Sequence, residues 1–188
     1  MLIEEPPMRI LNTSYDGDKF KNLVHYVCSI SPNPKVLGAT KLNKILWYSE
    51  LNSFLSLGKP ITGAKFVKRQ FGPVAKATLP VLENLRSEGA IVIIDTEYFG
   101  KPKKEYISLR KPDLSAFTAD EVSIVAEVTK IICEKHTASS ISAASHDDIW
   151  QMAEIGEEIP LSTVFAIRGE VTEDDVAWAD EKIKEKFS

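Results

Sequence analysis

The sequence predicts an α+β fold, a mostly helical compact domain with one small antiparallel β-hairpin. Three observations predict this class. Residues 40–57 carry an apolar face wider than half a helix, as in helices buried on several sides. Ile91–Asp95 is rich in β-branched residues, and Glu105–Leu109 follows a period-two pattern, which is typical of paired strands. Capping boxes at Thr118 and Thr172 begin two further helices.

The chain begins with a predicted arm and one amphipathic helix. Residues 1–17 contain prolines and end in a turn signal, so we expect them to have little structure. From Asp18 onward, apolar residues at helical spacing predict a helix that ends before Ser31. Residues 18–188 are expected to form a single domain.

The helix at 40–57 is expected to organise the domain. Thr40 is its predicted N-cap, and Gly58 followed by Pro60 ends it. The segment 71–74, with the sequence FGPV, then predicts a sharp corner. Glycine reaches backbone angles closed to other residues, and proline fixes the direction of the chain beyond it.

A helix and the hairpin come after this corner. The helix is predicted from Thr78 to Ser87, with Pro80 in its first turn, where proline is tolerated. Its predicted apolar face consists of Leu79, Val81, Leu82 and Leu85. The hairpin after it has a basic tip. Helix, corner, helix and basic-tipped hairpin is the order of a winged helix, so the middle segment is predicted to be winged-helix-like.

The last third of the chain is predicted to be helical with short connections. Its elements, in order, are a helix from Thr118 to about Lys135, a short helix at 137–145, a loop at 156–160, a strand or helical turn at 161–167, and a last helix at about 172–187.

The amino-acid composition restricts the kinds of protein that the sequence can encode. The 188 residues are 44% hydrophobic and 27% charged, as in globular proteins. The longest strictly apolar run, Ala90–Ile94, is too short to span a membrane, and the N-terminus lacks the order of a signal peptide. Cys28 and Cys133 lie far apart without a CxxC motif, which indicates reduced core residues in a cytoplasmic protein.

The net charge of −4 is divided unevenly along the chain. Residues 1–112 carry 17 Lys/Arg and 10 Asp/Glu, whereas residues 113–188 carry 6 and 17. Such a division is typical of a basic patch for an acidic partner, of two halves that attract each other, or of ordinary solvated faces. The sequence leaves these three interpretations open.

The sequence contains no motif that indicates an enzyme, a cofactor or a metal site. His146 beside Asp147 and Asp148 is the strongest candidate for a base or a metal ligand. A carboxylate–histidine pair at a helix end is more often a capping and packing arrangement. We therefore predict a protein without catalytic residues, cofactor or metal.

Three motifs, taken in order, resemble one known family. Lys41, Leu42, Lys44, Trp47 and Tyr48 fit a K-L-x-K-L-L-Y-Y-type helix. The FGPV corner (Phe71, Gly72, Pro73 and Val74) and a Ser-His…Trp element (Ser145, His146 and Trp150) come later in the chain. Together they resemble the Panacea domain of SocA-like antitoxins and of phage-associated proteins. The resemblance covers about residues 18–165.

The resemblance implies a non-enzymatic antitoxin that neutralises the cognate toxin of a toxin–antitoxin system by direct binding. The motif residues would then be structural or partner-binding, and we expect Trp47, Phe71, Pro73 and Trp150 to lie mainly in the core. Two departures put the identity of the partner in question. Tyr48 is followed by Ser49, where the family often has alanine, and Pro80 interrupts the helix after the corner.

Nucleic-acid binding through the winged-helix-like segment is the alternative function. Its candidate contacts are Lys65, Lys68, Arg69 and Lys76 near the corner, and Lys101, Lys103 and Lys104 on the hairpin. Lysine and arginine contacts to phosphates would make such binding strongly salt-dependent. The pI of 5.5 argues against it, since nucleic-acid-binding domains are usually basic.

Overall fold

The computed structural model describes residues 14–164, which contain six helices and two antiparallel two-stranded sheets. The predicted last helix at 172–187 and most of the predicted arm lie outside the described residues. The helices are α1 Gly17–Ile30, α2 Pro34–Leu57, α3 Thr78–Ser87, α4 Ala119–Lys135, α5 Ala138–Ala144 and α6 Asp148–Met152. The strands are β1 Phe66–Arg69, β2 Gly72–Ala75, β3 Ile91–Tyr98 and β4 Lys101–Ser108, and a 3-10 turn spans Leu161–Thr163. The mostly helical α+β class is confirmed.

Helix α2 is central, as predicted. It contacts α1, α4, α5, β2 and β4. Its fully buried apolar side chains are Leu42, Ile45 and Leu46, and Trp47 is nearly buried. A break at Gly38 (φ 61°) separates a short first turn, capped by Asn33, from the main helix. The main helix therefore begins close to the predicted Thr40, which lies in its first turn, whereas the element as a whole begins earlier, at Pro34. Gly58 closes the helix at φ 72°, as predicted.

The predicted corner is a second β-hairpin, which the sequence prediction missed. Strands β1 and β2 pair from Phe66↔Ala75 to Arg69↔Gly72, so the turn between them has two residues. The segment 156–159, predicted as a loop, runs along the other side of β1. Lys68 N donates to Glu157 O (2.8 Å), and the Ile159 N–H donates to Phe66 O (2.9 Å).

Helix α3 matches its predicted position, and the predicted hairpin is present with longer strands. The predicted basic tip was wrong, because strand pairing continues to Tyr98↔Lys101 and places the three lysines in β4. Pro80 lies in the first turn of α3, and the helix ends before Gly89 (φ 65°). Leu79, predicted to lie on the apolar face of α3, is 71% exposed. All eight residues of β3 pair with β4, from Ile91↔Ser108 to Tyr98↔Lys101.

A capping box and a salt bridge fix the start of α4, and the two cysteines lie in the core. Thr118 and Glu121 form the predicted capping box of α4, and Lys19 forms a salt bridge to Glu121 at 2.9 Å. Cys28 and Cys133 are free and buried, as predicted. Among residues 14–164, no helix has the length and apolar character needed to cross a membrane.

Candidate protein-interaction site

The fold brings all three sequence motifs to one place, where α2, the β1–β2 hairpin and the α5–α6 segment meet. We call this region the motif junction. It consists of Lys44, Trp47, Tyr48, Phe71, Gly72, Pro73, Val74, Ser142, Ser145, His146 and Trp150. Lys41, which belongs to the first motif, lies one turn away on α2 and is described with it.

Gly72 is the point of closest approach in the motif junction. Its backbone has φ 102°, which side chains with a Cβ rarely adopt. A Cβ at this position would lie 2.8 Å from Lys44 Cε, and closer still to Lys44 Nζ and Ser145 Oγ. The lysine side chain and the serine hydroxyl therefore occupy the space that any larger residue would need.

The two motif lysines are buried, and their side chains donate to main-chain carbonyl oxygens of other elements. Lys44 is 1% exposed, and its ammonium donates to Pro73 O at 3.4 Å. Burial lowers the pKa of Lys44 to about 7. Lys41 donates to Cys133 O at 3.3 Å, and burial lowers its pKa as well. These lysines link α2 to the β1–β2 hairpin and to α4.

Aromatic residues of α2 pack against the same neighbours. Trp47 meets Phe66 of β1 edge to face, with the ring centroids 5.1 Å apart. Tyr48 donates its hydroxyl proton to Ala144 O at the end of α5 (3.3 Å). Pro73 is buried and Val74 half-buried. The first motif therefore contacts the strand paired with the FGPV motif and the residue that precedes the Ser-His…Trp motif.

The α5–α6 segment, which contains the Ser-His…Trp motif, holds the turn of the β1–β2 hairpin through Ser142 and Trp150. Ser142 donates to Phe71 O at 3.2 Å, and Trp150 Nε1 donates to Arg69 O at 3.2 Å. The His146 ring stacks on the Trp150 ring at 3.6 Å, with 5° between the planes. Asp147 caps α6 by accepting from the Trp150 N–H at 2.8 Å. His146 and Asp147 thus form a capping and packing arrangement.

The surroundings of His146 favour the neutral form of its ring. Burial lowers the pKa of His146, and the charges of Lys44 and Lys68 lower it further. No group of three or more His, Cys, Asp or Glu residues between 14 and 164 could hold a metal ion.

The basic residues near the corner, proposed as nucleic-acid contacts, are mostly occupied by protein groups. Lys68 lies 4.2 Å from the Trp150 ring centroid and donates to Ala153 O at 2.9 Å. Lys65 and Lys76 each approach Glu158 at 3.5 Å. Arg69 is exposed.

The hairpin lysines are engaged in a similar way. Lys104 forms a salt bridge to Asp95 at 2.6 Å, and Lys103 forms one to Glu105 at 3.3 Å. Lys101 is exposed. Of the seven candidate nucleic-acid contacts, only Arg69 and Lys101 have no such partner within the described part of the chain.

Apolar side chains of the β1–β2 turn and of residues 152–155, which follow the motif junction in the chain, lie in solvent. Phe71, expected in the core, is 59% exposed, because it lies in the two-residue turn and only its carbonyl is held inward. Met152 on α6 is 82% exposed, and Ile155 on the following segment is 65% exposed. Trp150 is half-buried, whereas Trp47 and Pro73 are buried as expected. Nothing in the sequence distinguishes the exposed Phe71 from its buried neighbours.

Glu50 is a buried polar residue that the sequence prediction missed. It is 0% exposed, and both of its carboxylate oxygens accept from Thr62 N at 3.1 Å. The Thr62 hydroxyl also donates to it. Burial raises the pKa of Glu50 to about 7. A single acid within the broad apolar pattern of α2 was the available signal for such a site.

Comparison with known proteins identifies the family of this chain. The family model described as antitoxin SocA-like, Panacea domain, matches residues 42–151. The match is shorter than the expected 18–165, and Lys41 lies one residue before it. Searches of curated proteins and of solved structures found no match. Because the matched segment covers more than half of the 188 residues, the chain belongs to the SocA-like antitoxin family with a Panacea domain.

Proposed function

We propose that this protein is an antitoxin that neutralises a cognate toxin by direct protein–protein binding, without catalysis or a cofactor. The observation that carries this proposal is the motif junction, where family motifs build a buried frame and leave the Phe71 side chain exposed. We also propose a cytoplasmic location, supported by two buried free thiols, which are typical of a reducing compartment.

The energetics of Phe71 favour a contact with another protein. Fully burying a phenylalanine contributes about 1.5–3 kcal/mol, and Phe71, at 59% exposed, leaves roughly half of that to be gained. Its backbone is fixed by Ser142 on one side and by the β1–β2 pairing on the other. A rigidly presented aromatic loses little conformational entropy on binding, which is typical of residues that dominate interface energies.

Nucleic-acid binding is supported less well. Five of its seven candidate contacts already lie against acidic groups, carbonyl oxygens or an aromatic ring. Phosphates would have to replace these partners, which reduces the gain from each contact. DNA binding is therefore an outcome to be tested rather than a second function.

Co-expression with the product of the neighbouring gene tests the proposal. The wild-type protein should restore growth and form a stoichiometric complex with that product. Phe71→Ser should weaken the complex, whereas Leu79→Ser is the matched control, because Leu79 is equally apolar and 71% exposed on α3. A DNA-shift titration at two salt concentrations runs in parallel. Salt-sensitive, sub-micromolar DNA binding without rescue of growth would contradict the antitoxin proposal.

A further inference from the structure

The tip of the β3–β4 hairpin has an unfavourable residue in its turn. Tyr98 and Lys101 are the last pair, so the loop consists of Phe99 and Gly100 alone. Both have positive φ, 48° and 71°, which is the pattern of a type I′ turn. Such turns favour Asn-Gly, because a bulky side chain is crowded in this conformation. Among residues 14–164, Phe99 is the one non-glycine residue with positive φ.

The same residue is the most exposed large hydrophobic side chain of the described part of the chain. Phe99 is 87% exposed and Tyr98 is 63% exposed. Their rings meet edge to face with centroids 4.6 Å apart, so they form one aromatic knob. Asparagine would satisfy both the backbone and the solvent better than phenylalanine does. The turn geometry disfavours Phe99, and its ring packs on a tyrosine that is itself 63% exposed, which indicates a role outside the chain.

Contacts of β4 with the rest of the domain fix the hairpin that carries this knob. Tyr106 of β4 is 1% exposed, and His25 of α1 lies 3.0 Å from the Ser108 hydroxyl. Farther along, Lys103 donates to Lys35 O at the start of α2. The two aromatic rings therefore extend from an anchored strand pair.

The charges around the knob favour a protein as its binding partner over a polyanion such as a nucleic acid. Residues 95–105 contain three lysines and three acidic residues, so the segment is neutral. Lys104 is paired with Asp95 and Lys103 with Glu105. Nucleic-acid binding depends on uncompensated positive charge, whereas rigid exposed aromatics suit an apolar protein pocket.

We propose that the knob formed by Tyr98 and Phe99 inserts into an apolar pocket on the partner protein. The inference rests on the proposed function, in which the partner is the cognate toxin. The knob is an anchor separate in sequence from the motif junction.

The knob proposal is tested with the Phe99→Asn variant, whose affinity for the purified toxin is measured by calorimetry. This variant places a favoured residue in the turn, so its melting temperature should equal or exceed that of the wild type. Its Kd should rise on the order of tenfold or more, as for a loss at the centre of an interface. Leu79→Asn is the control and should change the Kd less than about twofold. A photoreactive phenylalanine analogue at position 99, but not at position 79, should cross-link to the toxin.

The outcomes separate the two proposals. Toxin binding by Phe99→Asn at wild-type affinity, without cross-linking from position 99, overturns the knob and leaves the antitoxin function standing. A wild-type protein that neither binds the toxin nor restores growth overturns both. If Phe99→Asn keeps its affinity for the toxin but loses affinity for a DNA duplex, the tip is a nucleic-acid wing and the knob proposal fails.

Discussion

Gly72→Ala should destabilise the protein through a steric conflict that the structure locates. The new Cβ would lie 2.8 Å from Lys44 Cε and closer to Lys44 Nζ and Ser145 Oγ, below the 3.0 Å that real Cβ atoms keep. Backbone strain at φ 102° costs about 1–3 kcal/mol. Overpacking in a buried site adds about 1–3 kcal/mol. We expect a total loss of about 2–6 kcal/mol, measured as the free energy of unfolding in urea.

Two control variants separate the cost of backbone strain at Gly72 from the cost of the steric clash. Gly89 also has positive φ, 65°, but nothing lies within 4 Å of a Cβ placed there. Gly89→Ala therefore carries strain without a clash and should cost less than Gly72→Ala. In a double-mutant cycle, Lys44→Ala should remove part of the conflict, so the Gly72→Ala/Lys44→Ala pair should be less destabilised than the sum by about 1–3 kcal/mol.

Two results would refute this reasoning. One is a Gly72→Ala loss no larger than that of Gly89→Ala. The other is strict additivity with Lys44→Ala, which would mean that Lys44 does not occupy the space beside Gly72. Gly72→Val should likewise harm folding more than Val74→Ala, because Val74 is only half-buried.

Three further predictions concern stability. Trp47→Ala should cost about 3–5 kcal/mol in denaturant melts, because it empties a site beside Phe66, and a loss below about 1 kcal/mol would show that α2 is peripheral. Folding raises the pKa of Glu50 from 4.5 to about 7, so its favourable contribution is complete below pH 4.5 and is lost as the pH rises through about 7. The stability of Glu50→Gln relative to wild type should therefore increase across that range by up to about 3 kcal/mol, and parallel pH profiles would contradict the raised pKa. Lys68→Met should cost about 1–2 kcal/mol through its lost cation–π contact and carbonyl bonds, while Lys76→Met, an exposed-pair control, should stay within about 0.5 kcal/mol.

Elements with local signals could be predicted from the sequence. Helix α3 begins at Thr78 and ends at Ser87 as predicted, since Pro80 and Gly89 restrict its ends locally. The capping box at Thr118 placed α4 in the same way. These features depend on a few neighbouring residues, so they can be read without knowing the rest of the fold.

Features that depend on distant partners could not be predicted. Strands β1 and β2 have only four residues each, and β2 contains Pro73. The open side of β1 forms main-chain hydrogen bonds with a segment more than 80 residues later. Lys44 looks like a surface residue in sequence, yet it is buried because Gly72 leaves room for its ammonium group. The sequence indicated a corner at 71–74, but the exposure of Phe71 depends on the two-residue turn between β1 and β2, which was not predicted.

The strand-like pairing of residues 156–159 with β1 also sets the order in which the domain can be completed. On the ribosome, α2 and the β1–β2 hairpin emerge long before this segment, and before Trp150 and Ser142, which hold the hairpin turn. Until then, the Phe66 and Lys68 main-chain groups on the open side of β1 lack their partners. Closing contacts across such a separation carries a loop entropy cost. We therefore expect the motif junction to be the last part of residues 14–164 to form, and chains that stop before residue 156 to associate through the exposed edge of β1.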